Sequence, residues 1–491
     1  ADEDEKDFIK IEDYLSIEHM ELFNEGKKFL GLVDTLNPHP CAYGIFDDGD
    51  MREEFGIIKI KENICVCLDG KWAEDYKMLK NDLLKVQVVE LIYETYKKIG
   101  IEPHPLPELI SLCNKDKKVW DVYSKGMTVS VNQFEKETTS KKGVRYAPKN
   151  ISEISAFVAA IRPGFKSEYS HFESRGKFEY GVMSLDKILQ TEEFPYSYML
   201  YQENSMAVMG WSGIPMYQTY EIVKSIAKKR YEDVLKNKSL FIDGMKKRLL
   251  EVEKMSSKDA EDISKKTWQI IEDSAFYSFN ASHSYSVAGD SLYCAWLKTN
   301  HPIHFYETFI KMMEKDGDKE RMELAKQEAI KFFGIKFPHP EFGQDNRNII
   351  AIPERNEITQ SLNIYKGFGD SIGESMYKLG TEFKDGDFLD LLIFAEENGM
   401  MASKIETLIK LNYFSQFGKN KKLHNIFIEF RKGKSKYTSK LSEKSKTKRK
   451  EDLKIMFEQM KDEKFSDMEQ VANEISILGR LETKFSHLTK R

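Results

Sequence analysis

The chain has 491 residues, 41% hydrophobic and 32% charged, with 31 Phe and 23 Tyr, so about three domains with ordinary cores are expected at roughly 150 residues each. No run of about 18 apolar residues occurs and the first residues, ADEDEKDF, are acidic, a pattern that fits neither a membrane span nor a secretory leader and makes the cytoplasm the expected location. The net charge of -5 argues against uniform nucleic-acid affinity, and the five cysteines (Cys41, Cys65, Cys67, Cys113, Cys294) lack paired C-x-x-C spacing, which leaves reduced thiols as their reading.

In chain order, the stretches from Phe29 to Asp47 and from Gly56 to Cys67 predict short strands separated by Asn37-Pro38, Pro40 and Asp47-Asp48-Gly49-Asp50. Lys80-Asn81-Asp82-Leu83-Leu84 places a carboxylate at a strand end or turn. Val86 to Gly100 then shows helical spacing, with Gly100 and Pro103 as the stop. Beyond Ile151 the pattern is mostly helical; Ser256 to Asp259 offers a capping box, and Ala260, Ile263, Ile270 and Ile271 share one face. Pro338, Pro340, Asn346, Asn348 and Pro353 mark a boundary before the Gly367-Phe368-Gly369 turn and a small helical hairpin. Between Arg431 and Lys450 ten of twenty residues are Lys or Arg, opposed by Glu443 alone. This run and its serines predict a flexible, solvated segment, with phosphate contact as the functional alternative. Asp467 to Leu478 is the last helical segment, and no repeat of fixed period occurs.

Phosphoryl transfer needs hard oxygen ligands to hold magnesium and cations to neutralise the leaving diphosphate. Asp82 and Lys80 are of these two types, although an aspartate at such a place is ordinarily a solvated turn or cap residue. What changes the reading is a set of segments in one order: Gln133-Phe134-Glu135, Ile161-Arg162-Pro163-Gly164, Tyr201-Gln202-Glu203, Phe279-Asn280-Ala281-Ser282-His283, and Ala295-Trp296-Leu297-Lys298 with His301-Pro302. From about Lys27 to about Gly418 the set resembles bacterial DNA polymerase III alpha subunits, the family C replicative polymerases. Asn81, Asn132, Phe165 and Ala281 depart from the family's usual pattern, which implies a divergent, phage-like member.

The resemblance implies that Asp82, in a Lys-x-Asp-x-Leu segment, is the third catalytic carboxylate of the palm and a magnesium ligand. The segment from His39 to Ile45 corresponds to the strand preceding it. The resemblance further implies triphosphate contacts for Lys80 and for Lys224, Lys229 and Arg230 on a basic helix, against a plain solvated helix face. Asn280, Ser282 and His283 would bind the nucleotide, with a capping Asn and a core His as the ordinary alternative. Gly367 and Gly369, with Lys366, resemble a helix-hairpin-helix turn about 70 residues after the Ala295-Lys298 segment, in which exposed N–H groups hold a DNA phosphate.

The family's Asp-x-Asp pair and histidinol-phosphatase-like domain have no counterpart before His39, and Asp2 and Asp4 lack strand residues around them. The expectation is therefore a divided polymerase or a fragment, inactive alone. Its magnesium would be shared with a second polypeptide carrying the Asp-x-Asp pair, and an oligonucleotide-binding polypeptide would follow. Primer-template DNA and dNTPs are the expected ligands; a sliding clamp stays open, since no clamp motif is found between Gly386 and Arg491. The expected fold is α+β, mostly α-helical. It comprises a small mixed-sheet palm fragment (1–95), fingers (96–320), a helix-hairpin-helix region (321–385) and a helical, basic C-terminal region (386–491) resembling the start of a clamp-binding domain. The expected function is template-directed addition of dNTPs to a primer 3' end; the alternative is a non-catalytic DNA-binding or assembly module of a replication complex.

Overall fold

Strand-favouring runs near the start of the chain are short and broken by turn residues, and the computed structural model gives them strands of four residues each. The structure describes residues 15–479 apart from 33–34, 40, 46–50, 61, 77, 84–85, 163–164, 228–230, 276–279, 384 and 434–435. The chain divides into two compact units, 1–87 and 88–491.

The first unit runs α1 (Ile17–Lys27), β1 (Ala42–Ile45), α2 (Met51–Glu54), β2 (Ile57–Ile60), β3 (Asn63–Val66), α3 (Gly70–Asp75), β4 (Leu79–Asp82). Among the described residues of the expected strand stretch from Phe29 to Asp47, β1 is the strand that forms, and Pro40 and the Asp47–Asp50 turn lie outside the described residues. β2 and β3 make a hairpin, whereas β1 pairs antiparallel with the distant β4, Ala42 opposite Asp82 and Gly44 opposite Lys80. Opposed residues share a face, so Asp82 and Lys80 stand over the small Ala42 and Gly44, while Tyr43, Ile45, Leu79 and Asn81 form the other side. Ala73 and Met78 are the buried apolar side chains among this unit's described residues, and Leu30 (78%), Ile64 (74%) and Leu79 (62%) are exposed.

The second unit holds three cores. The first is built by α4 (Gln87–Ile99), α5 (Leu106–Lys115), α6 (Lys117–Ser124), α7 (Glu137–Tyr146), α8 (Ile151–Ala160) and α9 (Lys166–Glu173). Nine of the ten residues of α8 are buried and seven of these are apolar, making it the central helix; the Asn150 carboxamide caps its start. The chain then leaves this core. A second one forms from α10 (Met183–Leu189), α11 (Gln202–Trp211), α12 (Met216–Ala227), α13 (Tyr231–Glu251) and α14 (Ser257–Ala275), around Phe241 and Trp268. The expected face of α14 packs there, and at its start the Ser256 hydroxyl accepts from the Asp259 amide (3.2 Å) and donates to the Asp259 carboxylate (2.7 Å). Gly244 lets α13 cross the turn after α11, since a Cβ there would lie 2.3 Å from the Ser212 carbonyl oxygen.

α15 (Ala281–Asn300), α16 (Pro302–Asp316) and α17 (Lys319–Phe333) return to complete the first core. Lys298 is fully buried there. Its ammonium donates to the carbonyls of Met127 (2.9 Å) and Val129 and to Glu328, whose carboxylate also takes the Tyr306 hydroxyl (2.7 Å) and the Val129 amide (3.1 Å). The charge is paired and its three donors are all used, the condition under which a lysine is tolerated in a core.

After β5 (Ala351–Ile352) and β6 (Glu357–Ile358), the third core is formed by α18 (Asp370–Phe383), α19 (Phe388–Glu397), α20 (Ala402–Lys410), α21 (Asn420–Lys432), α22 (Glu443–Gln459) and α23 (Asp467–Leu478). It draws on both sides of 385–386. The sheets among the described residues are two-stranded and antiparallel, and the fold is α+β and mostly α-helical, as expected.

The expected flexible segment between Arg431 and Lys450 is corrected. Its described residues end α21, hold Tyr437 buried in a stack on Phe430, and begin α22. Arg431, Lys446 and Lys450 pair with Glu396, Glu397 and Asp390 of α19, partners 35 or more residues away that local composition does not reveal. No helix among the described residues is long and apolar enough to cross a membrane.

Candidate functional site

At the end of β4, the Lys80 ammonium lies 2.9 Å from Asp82 Oδ2, both side chains partly exposed. The Leu83 amide donates to the Cys41 carbonyl (2.7 Å), which fixes the strand end, and Cys41 adopts a left-handed backbone at φ 71°. With only Ala42 and Gly44 opposite, the carboxylate stands open. One carboxylate does not clamp a divalent ion, and among the described residues no group of three or more His, Cys, Asp or Glu could hold a metal. The described residues therefore do not by themselves fit the magnesium site that the resemblance implies.

In the second unit, two of the sequence segments, Tyr201-Gln202-Glu203 and the one that holds Asn280–His283, meet with Ser155 of α8 at the start of α15. Asn280 is its N-cap: the Asn280 side-chain oxygen accepts from the His283 amide (3.1 Å) and from the Ser282 hydroxyl. Glu203, in the first turn of α11, accepts from the Ala281 amide at 2.9 Å. Tyr201, just before α11, places its hydroxyl 2.8 Å from that of Ser155 on α8, and the Ser284 hydroxyl donates to the Ser155 carbonyl (2.8 Å). Burial pushes the Tyr201 phenol up to about 12. A carboxylate at a helix N-terminus answers both the unpaired N–H groups and the helix dipole, so the first turn of α15 is held rigidly while Ser282 and His283 remain exposed.

Lys224, in the last turn of α12, is half-buried with its ammonium 5.8 Å from the centre of the Tyr220 ring. Lys229, Arg230, Pro163, Gly164, Phe279, Asp2 and Asp4 lie outside the described residues. Other segments of the set turn out to be packing elements. Phe134 stacks on Phe157 (4.8 Å) and Glu135 pairs doubly with Arg321, Trp296 stacks on Tyr96 (5.9 Å), and Lys298 is the buried cation described above.

Gly367 has φ 77°, the left-handed region, and Gly369 presents its carbonyl to the amides of Ile372 (2.9 Å) and Gly373 at the start of α18. Lys366 is exposed, and Lys404 reaches over the Phe368 ring (4.9 Å) at the edge of a cleft of about 670 Å³ lined by Ser371, Ser375, Lys378 and Met400. The roles of Ser155, Tyr201 and Glu203 as supports of α15 were missed from the sequence. Tyr201-Gln202-Glu203 was the visible signal, but its partner lies 78 residues on.

Residues 86–249 match the family model of the bacterial DNA polymerase III alpha subunit finger domain. The chain is 23% identical to the DNA polymerase III subunit alpha of Ureaplasma parvum over 82% of its own length and 41% of the relative's. It is 26% identical to that of Campylobacter jejuni (71% and 29%) and 25% identical to that of Bacillus subtilis (71% and 30%). The chain thus spans less than half the length of these relatives.

Proposed function

Because the chain is a relative of bacterial-type DNA polymerase III alpha subunits, we propose that it is part of a replicative DNA-directed DNA polymerase that adds dNTPs to a primer 3' end on a template. The reading makes 1–95 part of the palm, 96–320 the fingers, 321–385 a helix-hairpin-helix region and 386–491 the start of a clamp-binding domain. The observation that carries it is the finger-domain match over 86–249, which contains the Glu203 carboxylate that braces α15.

In this reading, Asp82 is one of three catalytic carboxylates, and a second polypeptide supplies the other two; the divalent metal belongs to that completed site. The open Asp82 face and the exposed apolar side chains of the first unit support a partner there, since such surface ordinarily marks an interface. Lys80 offers a point charge to the departing diphosphate, and Lys224, Lys229 and Arg230 do the same from the fingers. Ser282 and His283 present hydrogen-bonding groups to the nucleotide from a helix start that Asn280 caps. Gly367, Gly369 and Lys366 offer backbone N–H groups and a cation to a DNA phosphate.

The chain is mixed with the polypeptide carrying the Asp-x-Asp segment, and primer extension is measured for wild type and Asp82→Ala. The expected result is no extension by either chain alone, extension by the mixture, and loss with Asp82→Ala. Equal extension by both mixtures would remove the catalytic role and leave the non-catalytic DNA-binding module as the reading.

A further inference from the structure

We propose that the junction between α15 and α16 is a pH-sensitive latch: three neutral imidazoles, those of His104, His301 and His304, hold the end of α4 and the segment 101–105 against it, and protonation releases both. The inference rests on this cluster and is independent of the polymerase reading.

His301 is the joint itself. It closes α15, with its amide on the Leu297 carbonyl (2.8 Å), and opens α16, with its carbonyl taking the Phe305 amide (3.0 Å). Its ring lies 5.4 Å from that of Trp296, which stacks on Tyr96 of α4 (5.9 Å) and meets His104 edge-on (4.8 Å). His104 stands between Pro103 and Pro105 in the segment after α4 and is fastened at two points. Its carbonyl accepts the Tyr293 hydroxyl, and its Nδ1 lies 2.9 Å from the Tyr96 hydroxyl. At the same junction, His304 Nδ1 is buried without a hydrogen bond among the described residues. It lies 3.6 Å from the buried Glu307 carboxylate, which Lys98 of α4 already holds at 2.5 Å.

Each added proton works against this arrangement. Burial keeps the Tyr96 phenol protonated, so it donates to a bare Nδ1, and a charged His104 would set two donors face to face. A charged His304 would compete with Lys98 for Glu307 and so loosen the ion pair that ties the end of α4 to α16. Burial disfavours His301 as a cation, and His304 and His104 add to the effect, with no carboxylate to offset them. A charge on His301 would also sit at the end of α15 and the start of α16, where the two helix dipoles act in opposite senses. The other titratable groups around the cluster are Glu108 and Cys113 of α5, which act on Tyr96 together with Tyr293, and Asp290 of α15, which acts on Tyr293.

The sign follows from His301. Its folded value lies below the unfolded one of about 6.5. The closed latch is therefore fully favoured above that pH and loses ground as pH falls through the lower, folded value.

Amide exchange of the full chain is followed by mass spectrometry at about pH 7.5 and about pH 5.5, on either side of the free-histidine value, with labelling times matched for intrinsic exchange. Protection is expected to fall at the lower pH in 93–106 and 299–307 and to stay unchanged in 241–268, within the core around Trp268. His301→Asn, which does not titrate and caps helices well, is expected to flatten that difference, and His304→Gln to reduce it. Asp290→Asn, which removes the neighbouring carboxyl that burial pushes up, is expected to keep it. Equal protection of the parent at the two pH values, or a loss spread evenly over all segments, overturns the proposal. So does a difference that survives in both histidine variants or vanishes in Asp290→Asn.

Discussion

The Glu203 carboxylate accepts the Ala281 amide at 2.9 Å, a hydrogen bond that joins the first turn of α11 to the first turn of α15 across 78 residues of sequence. Charge-assisted bonds of this kind contribute about 1.5–3 kcal/mol. Glu203→Ala is therefore expected to lower thermal stability by that order and to speed amide exchange at Ala281–Ser284. Glu203→Gln, which keeps an acceptor, should lose less. Equal exchange in all three proteins would show that the bond does not hold α15.

Removing the Lys298 ammonium leaves the Glu328 carboxylate buried against Tyr306 without its counter-ion. Lys298→Met is expected to cost about 3–5 kcal/mol in urea unfolding, the usual penalty for stranding one member of a buried pair. Lys298→Met/Glu328→Gln should recover part of it, because the stranded charge is gone. A double variant no more stable than the single one contradicts this account.

Local pattern was enough for some elements and not for others. Val86–Gly100 and Asp467–Leu478 read correctly as helices because spacing, stop signals and caps are all local: Gly100 has φ 74°, and Ser466 and Glu469 form a capping box. The basic run was misread because the carboxylates that order it lie on α19. Asn280 was legible as a cap, yet the support beneath it from Glu203, Tyr201 and Ser155 is a tertiary arrangement no window of sequence displays. For Asp82 the sequence left a strand end or a turn open; the structure makes it the end of β4, paired with β1 across an intervening hairpin.

The two glycines of the Gly367-Phe368-Gly369 turn should behave differently. Gly367 occupies the left-handed region, where an L-residue costs about 1–2 kcal/mol, whereas a Cβ on Gly369 would meet nothing within 4 Å. Gly367→Ala is expected to lower stability by that order. Gly369→Ala should leave stability unchanged but weaken duplex binding if a phosphate approaches the turn. Wild-type binding by Gly369→Ala would count against the hairpin as a phosphate contact.

The hydrogen bonds from Lys446 and from the Tyr437 hydroxyl hold the Glu397 carboxyl below the usual carboxylate range. A folded value below the unfolded one means that the stabilisation is complete above the unfolded value, about 4.3. It is lost as pH falls through the lower, folded value. Melting temperature followed from pH 7 downward is therefore expected to drop less steeply below about pH 4.3 in Glu397→Gln than in the parent. Parallel curves would remove this carboxylate from the acid response.

The excursion of the chain out of its first core and back, with α10–α14 in between, also has a temporal side. During synthesis α8 emerges roughly 130 residues before α15, its main packing neighbour. At about 5–20 residues per second, the nascent chain waits about 6–26 s before α15 can cover α8. The inserted helices around Trp268 have the apolar partners of their core within one contiguous stretch and can close first, so the order of maturation on the ribosome is the reverse of the order in which the two cores begin.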